Sequence, residues 1–92
     1  MDNRILVVDD EKDICDILQF NLEKEGYIVD VANSAEEALM VITDVHQLIV
    51  LDVMMDGISG FKMAEKLRKQ GNNIPIIFLT AKNTENDVLT GF

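Results

Sequence analysis

The stretch "LIVLDVMMDGISG", Leu48 to Gly60, decides the fold. Four apolar residues, Leu48 to Leu51, run without interruption into Asp52; Met54, Met55, a second acid at Asp56 and two glycines follow. An apolar run with no alternation reads as a strand covered on both faces. A carboxylate at its end places charge at the border of a core and calls for a reason. Two other runs end alike: "ILVVDDE" at 5–11 reaches Asp9 and Asp10, and "IIFLTAK" at 76–82 reaches Thr80.

Between these runs the period changes. Residues 4–9 read as a first strand. Residues 11–25 read as a helix with Ile14, Ile17, Leu18 and Leu22 on one face, stopped at Gly26. "YIVDVA" at 27–32, interrupted by Asp30, suits an edge strand. Ser34 and Glu37 form a capping box for a helix to about Thr43, with Ala38, Leu39 and Ile42 facing in. Residues 48–52 are the third strand. A helix from about Ser59 to Gln70 carries Phe61, Met63, Ala64 and Leu67 and stops at Gly71. Residues 74–79 are the fourth strand, with Pro75 at its start, where a missing N–H is tolerated. Thr84 opens a further helix. Strict alternation predicts an α/β fold, an open doubly wound parallel sheet in the order 2-1-3-4.

That order leaves the fourth strand at an edge, yet "IPIIFL" is among the most apolar runs of the chain. Edges are normally blunted by charge, bulges or short length. The pattern therefore predicts another neighbour for this strand and reads the 92 residues as part of a longer domain. It also predicts that this chain alone forms dimers or larger species through the fourth strand.

A length of 92 residues and an apolar fraction of 48% fit one small globular domain. Seventeen acids against eight bases give a net charge of −9, which argues against nucleic acid or an anionic membrane as a direct partner and permits a cation site. A single cysteine, Cys15, allows no internal disulfide. No signal peptide or spanning segment is visible, and a cytoplasmic protein is expected.

In an open parallel sheet, ligands bind at the carboxyl ends of the strands, beside the switch point between strands one and three. Asp9, Asp10 and Asp52 flank that point, and Thr80 ends the strand next to it. Two carboxylates about 5 Å apart repel by roughly 3 kcal/mol at an effective dielectric of 20. Three such pairs rival the stability of a small domain, so a shared proton or a cation is required. An all-oxygen carboxylate site suits Mg²⁺, and Mg²⁺ beside a carboxylate and a hydroxyl suits phosphoryl chemistry. Taken singly, Asp10 can be a helix N-cap, Asp52 a turn residue and Thr80 an ordinary strand residue. Their co-occurrence on one edge carries the reading.

With "ILVVDDE", "LIVLDVMM.G..G" and "PIIFLTAK" in this order and spacing, the chain resembles the receiver domain of bacterial two-component response regulators along its whole length, residues 1–92. The resemblance implies a flavodoxin/CheY-like fold whose fifth strand and helix lie beyond these residues. It implies Asp52 as phosphoacceptor for a sensor histidine kinase. Mg²⁺ would be held by Asp10 directly, Asp9 through water, Asp52, and the Met54 backbone carbonyl. Thr80 would be the switch hydroxyl, with Ala81 leaving room beside it. An output domain, of the winged-helix (OmpR-like) DNA-binding kind, would follow. Two features depart from the family: Asp56 stands where proline is usual, and the phosphate-pairing lysine after the fifth strand is absent, Lys82 not being its counterpart. Switching by these 92 residues alone is therefore expected to be impaired.

The remaining candidates read as structural. His46 is expected in a loop before strand three, Cys15 on a helix face, and the Met54 and Met55 side chains in packing. Asp13, Asp16, Glu23 and Glu25 make a solvated face. Two other functions compete: a phosphorylation-independent interaction module, and a haloacid-dehalogenase-like phosphotransferase. The latter needs an acid two residues after Asp52, where Met54 stands.

Overall fold

The structure, a computed structural model, describes residues 3–55 and 59–79. Four parallel strands, β1 (Arg4–Val8), β2 (Ile28–Ala32), β3 (His46–Asp52) and β4 (Ile76–Leu79), form one sheet in the order β2-β1-β3-β4. Three helices connect them: α1 (Lys12–Lys24), α2 (Ala35–Val41) and α3 (Gly60–Lys69). This is the expected doubly wound α/β sheet.

The uninterrupted apolar runs are explained by cover on both faces. In β1, Leu6 and Val8 join Ile49 and Leu51 of β3 under Ala35, Ala38, Met63 and Leu67 of α2 and α3. Their alternate neighbours, Ile5, Val7 and Val50, pack against Cys15, Leu18 and Leu22 of α1. β2 is an edge, as Asp30 suggested. Among the described residues β4 is the other edge, with Ile77 45% exposed.

Helix ends follow the sequence signals. Ser34 and Ser59 cap α2 and α3, each accepting from the N–H three residues on. Glu37 completes its box one residue early, on the Asn33 N–H at 2.8 Å. Gly26, at φ +99°, follows α1 in a left-handed conformation that few other residues adopt cheaply.

Several expectations need correction. α1 turns Cys15 inward and leaves Ile17 57% exposed. The buried stripe runs 15, 18, 22 at helical spacing, and Ile17 lies well outside that arc. The N-cap of α1 is Glu11, not Asp10. α2 ends at Val41, short of Thr43, and β4 begins at Ile76, with Ile74 buried just before it. Phe61 of α3 is exposed and reaches sideways to Phe78, ring centroids 4.9 Å apart. Met54 points to solvent, whereas Met55 is buried.

His46 is the largest surprise. It is the first residue of β3 rather than a loop residue, and its side chain is 3% exposed. The pairing of β1 with β3 slips between Arg4↔His46 and Ile5↔Leu48, leaving Gln47 as a bulge. Without the bulge His46 would share the face of Leu48 and Val50; the extra residue turns it onto the face of Arg4 and Asp30. There Nδ1 accepts from the Thr43 N–H at 3.1 Å, so Nε2 carries the proton and donates to Asp30 Oδ2 at 2.7 Å. Arg4 grips both oxygens of the same carboxylate, at 2.9 and 3.1 Å. One carboxylate on the edge strand thus ties β2 to β1 and β3.

Burial alone would raise the Asp30 carboxyl, but the bonds from His46 and Arg4, with Arg4's charge, outweigh it and hold it below its ordinary 3.8. A lowered acid contributes stability above its unfolded value and loses it as pH falls through the folded value. Asp30→Asn should therefore cost about 1–2 kcal/mol at pH 7, discounted for the partial exposure of the pair. The difference from wild type should shrink as pH drops below about 4. Urea unfolding at several pH values checks this; a difference that persists unchanged to pH 2.5 would contradict it.

Candidate functional site

β1 and β3 are neighbours whose carboxyl ends lie on one edge of the sheet. Asp52 is the last residue of β3, while Asp9 and Asp10 follow directly on β1, which ends at Val8. One carboxylate oxygen from each of Asp9, Asp10 and Asp52 lies within 4.8 Å of the others. Residues more than forty positions apart are thus gathered by strand adjacency alone. Asp9 and Asp52 are each 3% exposed, whereas Asp10 faces solvent.

Each buried acid is oriented by the backbone that follows it. Asp9 Oδ1 accepts the Glu11 N–H at 2.9 Å, and Asp52 Oδ1 accepts the Met54 N–H at 3.1 Å. Both are Asx turns, which fix a carboxylate against its own chain two residues on. The turn reading of Asp52 and its role in the cluster are therefore compatible. Burial pushes the Asp9 carboxyl from 3.8 up to about 6; the Glu11 N–H opposes this only in part, and the charges of Asp52 and Asp10 add to the rise.

The first turn of α3 lies against the end of β3. The Gly60 N–H donates to the Val53 carbonyl at 3.1 Å. A Cβ on Gly60 would collide with the backbone carbonyl of Asp52, so only glycine lets the first turn of α3 lie against this strand end. The second glycine of the opening motif is thus explained by close approach.

The donor set fits a hard divalent cation: three carboxylates, no nitrogen or sulfur, and an exposed side at Asp10 where water ligands have room. Thr80, Ala81, Lys82, Asp56 and the helix expected from Thr84 lie outside the described residues. Of Met54, the structure places the backbone beside Asp52 through its N–H and turns the side chain away. A wide depression of about 680 Å³ lies at the opposite end of the sheet, between Thr43–Gln47 and Gln70–Pro75. Both nitrogens of its His46 are already bonded within the protein, and it brings no convergent reactive groups together. No helix among the described residues is long and apolar enough to cross a membrane.

Two expectations follow. An acid raised from 3.8 to about 6 makes the folded state hold a proton the unfolded chain has lost, so stability falls as pH rises through that window, by up to about 3 kcal/mol. Without divalent cations, Asp9→Asn, which keeps the acceptor for Glu11, should be more stable than wild type at pH 8 and nearly equal to it at pH 4. Equal midpoints at both pH values in chelator would contradict this. Gly60→Ala should cost about 1–3 kcal/mol through overpacking, against the roughly 1 kcal/mol gain that helix propensity alone would give. Denaturant unfolding reads the sign directly.

Comparison with known proteins agrees with this geometry. The response regulator receiver domain family matches residues 5–92. The alkaline phosphatase synthesis transcriptional regulatory protein PhoP of Bacillus subtilis is 47% identical over 92 residues, which is 99% of this chain and 38% of that protein. The chain therefore spans less than half the length of this curated relative. Among solved structures, the receiver domain of Francisella response regulator 1452 superposes with a TM-score of 0.83 at 34% identity, covering 98% of this chain and 75% of that one. Thermotoga maritima TrrA, solved with Mg²⁺–BeF, superposes with a TM-score of 0.79 at 43% identity, covering 88% and 71%. TrrA has also been solved in complex with the histidine kinase ThkA.

Proposed function

The chain belongs to the response regulator receiver domain family, and from that premise we propose that it accepts a phosphoryl group on Asp52 from a histidine of a sensor kinase. The single observation that supports this most is the convergence of three acids within 4.8 Å at the carboxyl edge of β1 and β3. Asp52 is assigned as the acceptor from its place in the family's motif at the end of β3, where its Oδ1 is held by the Met54 N–H. Its carboxylate oxygen forms the new O–P bond as the P–N bond to the kinase imidazole breaks. The electron pair stays on that ring nitrogen, which takes up a proton. Mg²⁺, when bound, neutralises the converging negative charge. Asp10, the exposed acid, would hold it directly and Asp9 through water, with Asp52 and the Met54 backbone carbonyl as the remaining protein ligands. Thr80, which follows β4 in sequence, is the hydroxyl that turns toward the phosphoryl oxygens.

In this reading the domain is a stoichiometric acceptor and switch rather than a turnover enzyme. It works in the cytoplasm, and its signal passes to an output domain, of the DNA-binding kind, in the longer protein. Support for the kinase as partner comes from the TrrA–ThkA complex; support for a transcriptional output comes from PhoP. A phosphorylation-independent interaction module is the competing reading, and it has no use for a Mg²⁺-dependent Asp52.

Incubation with a small phosphoryl donor and Mg²⁺ should add one phosphoryl mass to the intact chain. The gain should vanish in Asp52→Asn and in chelator. Persistence of the gain in Asp52→Asn would overturn the assignment. A second expectation concerns the far edge of β4, where Ile77 is 45% exposed and no described residue pairs. This chain alone should self-associate at high concentration; light scattering showing a monomer throughout would contradict that.

A further inference from the structure

The two acids that follow β1 share one peptide unit, and that unit is held by side chains not yet given a role. The Asp9 N–H donates to the Ala32 carbonyl at 3.1 Å, which fixes one side of the residue by ordinary strand pairing. The Asp9 carbonyl, which begins the peptide leading to Asp10, lies past the end of β1. It accepts instead from two side chains: the Cys15 thiol at 3.3 Å and the Asn33 amide at 3.2 Å. The same amide reaches Cys15 Sγ at 3.7 Å, so the three groups close on one another.

These contacts come from two different elements. Cys15 projects from the buried face of α1 and is 1% exposed. Its thiol is the donor in this contact, because a carbonyl oxygen can only accept. Asn33 stands between β2 and α2, where Glu37 anchors its own N–H at 2.8 Å. The Asp9–Asp10 peptide is therefore held by one side chain from α1 and one from the segment between β2 and α2.

We infer that Cys15 and Asn33 are positioning residues for the cation site: by fixing the Asp9 carbonyl they set the directions in which the Asp9 and Asp10 carboxylates leave the chain. The inference rests on the Mg²⁺ reading of the site and adds two residues to it. A cation held by several carboxylates is sensitive to their relative placement, because Mg²⁺ demands near-ideal octahedral geometry, and groups that orient metal ligands without touching the metal are a recurring part of such sites. Neither residue would be a ligand of the ion.

The test is calorimetric titration of this chain with Mg²⁺, beside urea unfolding in chelator. Cys15→Ala and Asn33→Ala, which each remove one donor, should weaken Mg²⁺ about fivefold, the worth of one neutral hydrogen bond. Cys15→Ser, which keeps an O–H donor, should restore most of the affinity. Ser34→Ala, which strips the cap of α2 but leaves the Asn33 amide in place, should lower the unfolding midpoint without moving the affinity. Should Cys15→Ala fail to fold, the surface variant Asn33→Ala still decides the question. Affinity within error of wild type in Asn33→Ala, or loss in Cys15→Ser equal to that in Cys15→Ala, would overturn the inference and leave the Mg²⁺ reading intact. A wild-type chain that binds no Mg²⁺ would overturn both.

Discussion

Three carboxylates gathered at one strand edge are the constraint on which the rest of this structure depends. Unrelieved, they repel one another by several kcal/mol, a large share of what a domain of this size can spare. The fold nevertheless forces them together. Asp9 and Asp52 are each attached to the end of a strand that is buried on both faces, and those strands are adjacent. Neither acid can retreat into solvent without unravelling a strand end. The displacement of the Asp9 carboxyl to about 6 is the signature of that confinement.

The surrounding architecture reads as a set of devices that keep the acids in place. Turn N–H groups from Glu11 and Met54 aim the two buried carboxylates. Gly60 lets α3 approach the Asp52 carbonyl closer than any side chain would permit. Cys15 and Asn33 grip the peptide between the paired acids. At the far end of the sheet, Arg4, Asp30 and His46 bind the edge strand to its two neighbours, so the charged end and the charge-neutralised end are held by different physics.

Much of this was legible in the residues. The unbroken apolar runs at Ile5–Val8 and Leu48–Leu51 marked central parallel strands, and Asp30 marked an edge; together they determine the order β2-β1-β3-β4. Once that order is known, Asp9, Asp10 and Asp52 must meet. Other features were hidden for identifiable reasons. Ile17 looked inward because hydrophobicity alone cannot locate the centre of a helical face; the small, buried Cys15 lies nearer that centre. His46 looked like a loop residue because a one-residue bulge at Gln47 reverses which side of the strand it faces, and no local pattern announces such a bulge. Its partner Asp30 could be read as an edge signal but not as an ion-pair centre. The glycine at position 60 was visible as a motif, while its reason, contact with a backbone carbonyl, belongs to tertiary structure.

The most direct test of the central claim is the stability of this chain in Mg²⁺ against its stability in NaCl of equal ionic strength. If the three acids form one cation site, Mg²⁺ should raise the urea midpoint well above the NaCl value, and the excess should grow with the logarithm of Mg²⁺ concentration above its dissociation constant. The excess should disappear when Asp9 and Asp52 are both replaced by Asn. Midpoints that coincide in the two salts would mean that the acids are only screened, not bound to a common ion, and would contradict the account.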